Sequence, residues 1–476
     1  MKIVKNYLYT MSYQIFIFLV PVITIPYISR TIGTDGIGLN AYTSSIISYF
    51  TLLANYGLSL YGSRTIAFYR DEKYQMSKKF WEIVIAKIIM MAISLIFFFI
   101  YLSIISEYRY ILLLQGIQIL ATGIDVSWFF IGIEDFKSTV TRNFIVRIIS
   151  VVIIFLLVHD SQDLAKYILI VSGSSFIGNL TLWPYTKQKI FRIDLKIVDF
   201  FSVLIAGGSL FLPALTATLF ISFNRILLGS LSTFTQTSFF DNSDKVIRIF
   251  LSLLTAVGTV IFPRIANHFK KGELYQMNRY IEISVSLVSC LSFPIVFGII
   301  LVSDSFSRLF YGTNFAGINI VLSILSIELI FMGWSQLIGQ QYMIVIGKAK
   351  ELTISMLSSF LICSIAAFFL IPHYGAAASA VISVIGEALM FLIQIYVVRK
   401  YINILNLFKE VWKYMLASSV MFVFCLFLKG KFHFYSDVFQ ILLIGFSGVA
   451  VYIPALLLLK PKSIKTLWEL TRRVSK

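Results

Sequence analysis

Fourteen apolar stretches follow one another along this chain with only short polar breaks, and no other feature restricts its fold as much. They lie near 11–29, 37–61, 83–106, 110–133, 144–158, 167–186 and 200–222, then near 232–263, 281–302, 318–346, 352–371, 374–398, 414–428 and 438–459. A bilayer-spanning helix needs about 20 apolar residues, so about fourteen spans use about 280 positions. The remainder suffices for short loops and for no soluble catalytic domain. The expected fold is an all-α polytopic membrane protein. Composition agrees: 58% of the 476 residues are apolar and 13% are charged, against about 45–50% and about 25% in soluble domains.

Several chemistries drop out at once. Cys290, Cys363 and Cys425 stand singly inside apolar runs with no CxxC, which leaves neither a disulfide framework nor a zinc site. His159, His268, His373 and His433 lie in or near loops and never cluster, so no metal site or histidine relay is expected. No GxxxxGK[ST] loop is present. The stretch from Gly33 to Gly38 is glycine-rich without a βαβ context and reads as a turn. With no catalytic grouping, the chain reads as a non-enzyme without a cofactor.

The 40 Lys and Arg exceed the 23 Asp and Glu, giving a formal charge of +17. Only Arg30, Arg109, Lys166, Arg225, Arg308, Lys429 and Lys431 fall in odd-numbered loops, against 29 cations at the termini and in even-numbered loops. Lys87, Arg147, Lys245 and Arg248 fall within spans. Cytoplasmic loops carry the excess of Lys and Arg, so both termini are placed in the cytoplasm. The basic excess is then topological, and nucleic acid drops out as a partner. Clusters such as Lys78-Lys79 and Arg472-Arg473 favour anionic membrane lipids. Lys2 and Lys5 precede the first run as in a signal peptide, but Pro21 and Pro26 interrupt it and no A-x-A-like site precedes Arg30. The first helix is expected to be retained.

Residues 1–199 and 200–412 each hold six spans starting from the cytoplasm, and an even number per unit makes the halves parallel repeats. Pro21, Arg30 and the polar run Asn40 to Ser45 in the first half are matched by Pro213, Arg225 and Asp241 to Lys245 in the second. Proline within a span marks either a bend beside a cavity or a tolerated kink. The last two spans carry no ionisable residue in their apolar centres, so 413–476 reads as an appended helix hairpin with a basic cytoplasmic tail.

Ionisable groups within spans are costly and usually face a cavity or a partner. In the eighth span Asp241, Asp244, Lys245 and Arg248 are spaced i, i+3, i+4 and i+7, on one helical face. Asp241 can pair with Lys245 and Asp244 with Arg248. Four charges exceed what mutual neutralisation for insertion requires, which favours a cavity lining. The fourth span aligns Gln115, Gln118, Thr122 and Asp125, with no cation on that stripe, so Asp125 needs a partner on another helix, Arg147 or Lys87. Lys87, one turn from its cytoplasmic end, is expected to snorkel. Glu328, Gln336 and Gln340 share a face of the tenth span, where amides serve substrate contact or interhelical hydrogen bonding equally well. Glu387 and Gln394 face one side of the twelfth span, and Glu387 is a candidate proton or cation site.

At these residues the chain resembles the Wzx-type flippases for lipid-linked oligosaccharide repeat units, a polysaccharide transporter family of the multidrug/oligosaccharidyl-lipid/polysaccharide exporter superfamily. The resembling stretches are Arg30 to Tyr42, Asp125 to Phe136, Asp241 to Lys245, Phe262-Pro-Arg264 and Trp334 to Tyr342, spread in order over about residues 1–400. The resemblance implies a V-shaped two-lobe fold that opens alternately to either side, with a cationic cavity between the lobes. It further implies a bacterial inner-membrane protein whose cargo is an undecaprenyl-pyrophosphate-linked repeat unit, moved to the outer leaflet for capsule, O-antigen or exopolysaccharide assembly. Polysaccharide polymerase and chain-length proteins are its implied partners. A pyrophosphate needs cations at membrane depth, which Arg30, Arg225, Lys245 and Arg248 would supply. Trp128, Gln336 and Gln340 would face the sugar, and Asp125, Arg147, Asp241, Asp244 and Glu328 complete the candidate lining. Related peptidoglycan-precursor flippases carry several arginines in the first two spans, whereas the second span here has none before Arg64, which argues against lipid II as cargo.

Two other readings compete. A cation-coupled multidrug exporter of the same superfamily should prefer an acidic pocket, while this interior mixes acids with cations. A membrane polysaccharide polymerase or ligase would carry a large external loop, and the outer loops here are about twenty residues or fewer.

Overall fold

In lipid every backbone N–H and C=O has to be paired within the segment, and this chain solves that with helices, with no strand among the described residues. The computed structural model describes residues 2–191, 193, 199–431 and 436–461, and leaves the side chains of 2–19, 212, 213, 217, 220 and 260 undescribed. The Lys2, Lys5 and Pro213 side chains, His433 and Arg472-Arg473 therefore lie outside the described residues.

Helix α1 (Lys2–Asn55) is two helices run together across Gly33, whose φ of 78° suits a residue without Cβ. The expected Gly33 to Gly38 turn shrinks to that one residue, because Thr34 onward is helical. Then come α2 (Leu58–Tyr69), α3 (Lys73–Ile104), α4 (Arg109–Ile124), α5 (Ser127–Gly132), α6 (Phe136–Leu157), α7 (Leu164–Leu180), α8 (Trp183–Thr186) and α9 (Phe200–Leu231). Helices α10 (Phe234–Lys270), α11 (Leu274–Tyr311) and α12 (Ile318–Ser335) follow, the last continuing into a π-helical stretch, Gln336–Met343. Helix α13 (Ala349–Val398) is again two arms, joined at Gly375 with φ 54°. The chain closes with α14 (Ile404–Leu407), α15 (Val411–Lys431) and α16 (Asp437–Leu459).

Among the described residues ten helices are long and apolar enough to cross a membrane. The spans expected near 352–371 and 374–398 are the two arms of α13. The chain is a multi-pass membrane protein, and its helices sort their faces accordingly. On α16, Gln440, Ile444, Gly448, Tyr452 and Leu456 are buried at four-residue spacing, while Phe446, Val449, Ile453 and Leu457 are exposed on the other side. That exposed apolar stripe is the face that lipid covers.

The chain divides into two compact units, Met1–Ser230 and Leu231–Lys476. Helix α9 packs within the first unit. Ser48 Oγ and Ser222 Oγ lie 2.9 Å apart, and a Cβ at Gly229 would stand 2.3 Å from the Tyr42 ring. In this unit Phe80, Phe129, Phe130 and Trp128 form a buried core with Leu58, Ile66 and Val203. In the second unit the hairpin α15–α16 docks on α11: Tyr452 Oη donates to the Cys290 carbonyl at 2.7 Å, Ser305 Oγ to Gln440 at 2.7 Å, and Arg308 pairs with Asp437 at 2.8 Å.

Candidate functional site

In the second unit α10 begins with Thr233, whose side chain accepts from the Gln236 N–H. The Gln236 Oε1 accepts from the Ala376 N–H at 2.9 Å, so the first turn of α10 is tied to the break in α13. One turn further the four charges emerge on one face. Lys245 Nζ lies 2.6 Å from Asp241 and Arg248 Nε 2.8 Å from Asp244, the i, i+4 pairs that the spacing predicts. The acids are buried, at 6% side-chain exposure each, whereas the Lys245 and Arg248 side chains are 42% and 36% exposed. The open side of this face is therefore cationic and its floor is acidic.

Arg248 is also the meeting point of three elements. Glu328 from α12 and Glu387 from α13, both buried, act electrostatically on its guanidinium together with Asp244. Neither Glu328 nor Glu387 is hydrogen-bonded among the described residues. Beside them Ser335 Oγ donates to Gln394 Oε1 at 3.1 Å. Gln336 and Gln340 are exposed where α12 passes into its π-helical stretch, a local geometry that recurs at functional sites. Gln341, which the sequence reading did not single out, is buried, and a Cβ at Gly258 would stand 1.7 Å from its Nε2.

The remaining candidates lie in the first unit. The span expected over 110–133 is broken at Asp125, between α4 and α5. The Asp125 carboxylate turns back on Ser127, accepting from its N–H at 2.9 Å and its hydroxyl at 2.8 Å. Lys87 does not snorkel. It is 1% exposed and donates to the Asp125 carbonyl at 2.9 Å, because the break leaves that carbonyl without an intrahelical donor. Trp128, expected on a sugar-facing surface, is 1% exposed in the core, stacked on Phe80 at 5.6 Å with its indole N–H on the same Asp125 carbonyl. Gln115 donates to Asn40 Oδ1 at 2.9 Å, an interhelical bond.

Arg147 is exposed on α6 and lines a cavity of about 370 Å³ with Asn143, Ser150, Ser175 and Asn179. Arg142 lines it too. Sequence reading put Arg142 in a loop, but α6 starts at Phe136 and carries it inside the helix. Arg30 is exposed on α1 and Arg225 half-buried on α9. The candidates thus form two separate sets, one in each unit.

The sequence matches the family described as "Polysaccharide biosynthesis protein" over residues 3–269. It is 23% identical over 405 residues to the "Putative O-antigen transporter" of Escherichia coli (strain K12), covering 83% of this chain and 96% of that protein. Among solved structures, the lipid II flippase MurJ in an inward closed conformation superposes with a TM-score of 0.77 at 16% identity, over 94% of this chain and 98% of that one. An inward-facing multidrug resistance transporter of the MATE family in the MOP superfamily gives 0.59 at 12% identity, over 80% of this chain and 94% of that one. These structures share the fold.

Proposed function

The chain belongs to the polysaccharide biosynthesis protein family, and on that footing we propose that it flips an undecaprenyl-pyrophosphate-linked oligosaccharide from the cytoplasmic to the outer leaflet. The reading rests on one observation above all: α10 holds two half-exposed cations, Lys245 and Arg248, over a floor of buried aspartates. A pyrophosphate arriving there replaces one anion by another, so the headgroup enters without leaving bare charge in lipid. The relative named as an O-antigen transporter supports a saccharide cargo. The repeat unit serves O-antigen, capsule or exopolysaccharide assembly, with the polymerase and chain-length proteins as partners.

Transport, not bond-breaking, is the activity of this reading. The site is exposed to the two leaflets in turn, by alternating access of two six-helix repeats, 1–199 and 200–412, with both termini in the cytoplasm of a bacterial inner membrane. Gln336 and Gln340 serve the sugar, and Glu387 with Glu328 takes the coupling cation or proton. A multidrug exporter fits less well, because the exposed members of the α10 face are cations, which repel cationic drugs.

Deleting the gene tests the reading. Loss of surface polysaccharide together with accumulation of undecaprenyl-pyrophosphate-linked repeat units facing the cytoplasm is the expected result. Unchanged polysaccharide and no accumulated intermediate would overturn it.

A further inference from the structure

A second cationic cavity lies in the first unit, far along the sequence from the α10 face. Its volume is about 630 Å³, and three connections wall it: that between α2 and α3, that between α5 and α6, and the segment after α8. All three belong to the side that the Lys and Arg count assigns to the cytoplasm. The walls are fixed by specific bonds. Trp81 Nε1 donates to the Phe191 carbonyl at 3.1 Å, and the Phe191 N–H donates to Ser77 Oγ at 3.0 Å.

Most charges at the cavity are already matched. Arg70 is bound to Glu134 at 2.6 Å and also feels Asp71. Lys189 is bound to Asp135. Burial pushes the Asp135 carboxyl up, but the hydrogen bonds from Lys189 and Ser138 outweigh it and hold the carboxyl below its ordinary range. Two cations and one acid, Asp71, are left without an ion pair among the described residues, so the balance is positive. Lys73 and Lys187 both line the cavity, both are exposed, and neither side chain has an ion pair or hydrogen bond among the described residues.

The surroundings tell what kind of anion fits. Phe191 lines the cavity, and Tyr74 and Tyr185 stand one and two residues along the chain from Lys73 and Lys187; all three are more than half exposed. Aromatic side chains collect at the membrane–water interface, so the cavity sits at headgroup depth. We propose that this cavity binds the phosphate headgroup of an anionic phospholipid of the surrounding leaflet, through Lys73 and Lys187. A lipid satisfies both halves of the surface, its phosphate on the lysines and its glycerol and acyl portions beside the aromatics. Free inorganic phosphate satisfies only the first.

Because the site shares no residue with the α10 face, it is tested without reference to transport. Full-length protein in uncharged detergent is titrated with phosphatidylglycerol, phosphatidylcholine and inorganic phosphate, with binding followed by microscale thermophoresis. Wild type and K270Q/K271Q, which loses two exposed lysines of the second unit, should bind phosphatidylglycerol equally. K73Q/K187Q should bind it about thirtyfold more weakly, as the loss of two lysine contacts at a membrane surface implies. Both variants alter exposed side chains, so a matching melting temperature in lipid-free detergent checks their folding. Unchanged affinity in K73Q/K187Q would overturn the proposal, as would equal binding of phosphatidylcholine. Binding of inorganic phosphate as tight as that of the lipid would likewise overturn it, as the site would then serve a soluble anion.

Discussion

The ammonium group of Lys87 donates to the backbone carbonyl of Asp125 at 2.9 Å from a position that is 1% exposed. It also reaches Ser59 Oγ at 3.3 Å, so one side chain of α3 ties α2 to the break between α4 and α5. A buried cation with no carboxylate hydrogen-bonded to it is held by carbonyl and hydroxyl dipoles. Lys87→Met keeps the apolar stem and removes the donor. It should lower stability by about 1.5–3 kcal/mol, the worth of hydrogen bonds from a charged donor, while the Trp128 indole N–H still holds the Asp125 carbonyl. Thermal melting of the purified protein measures this, and an unchanged midpoint would remove Lys87 from the architecture of the break.

Asp125 closes the same break through its carboxylate. Asp125→Asn retains an acceptor for the Ser127 N–H and should keep near-normal membrane abundance. Asp125→Ala should lose about 1 kcal/mol, as capping-type bonds do. If Asp125→Ala matches wild-type abundance while transport fails, the residue serves the cargo instead. Gly62→Ala gives an independent check on the neighbouring core, because its Cβ would lie 2.5 Å from the Trp128 ring. Abundance of that variant should fall.

On α10 the test has to separate cargo binding from insertion. Removing Lys245 alone breaks its ion pair with the buried Asp241, and breaking a buried pair by removing one partner is strongly destabilising. The neutral pair D241N/K245Q avoids that. It should reach the membrane at normal level yet transport poorly, as should D244N/R248Q. Lys245→Arg should retain part of the activity, since the charge survives and only the geometry changes. Wild-type transport by both neutral pairs would leave the face with no role beyond insertion.

Glu387 and Glu328 bring two further carboxylates within electrostatic reach of Arg248. If they hold the coupling ion, Glu387→Gln in proteoliposomes should abolish stimulation of flipping by an imposed proton or sodium gradient. Passive exchange of cargo should persist. A variant that still responds fully to the gradient would exclude Glu387 from coupling.

Topology is open to labelling. In a variant lacking Cys290, Cys363 and Cys425, a single cysteine placed within residues 64–79 should resist an impermeant thiol reagent in intact cells. One placed at Thr34 should react. The opposite pattern would invert the orientation drawn from the Lys and Arg distribution.

The helical, membrane-spanning class was legible from the residues alone, because lipid makes uninterrupted apolar length a sufficient signal for a span. So were the Asp241–Lys245 and Asp244–Arg248 pairs, since residues four apart on one helix meet whatever the rest of the chain does. Only tertiary structure decided which buried side chain meets which. Lys87 reads as a snorkelling lysine until the break at Asp125 exposes a carbonyl beside it, and Trp128 reads as a sugar platform until Phe80 stacks on it. The convergence of Glu328 and Glu387 on Arg248 depends on how α10, α12 and α13 are rotated against one another. Helix rotation is set by side-chain packing, and in a chain apolar on nearly every face no periodicity records it.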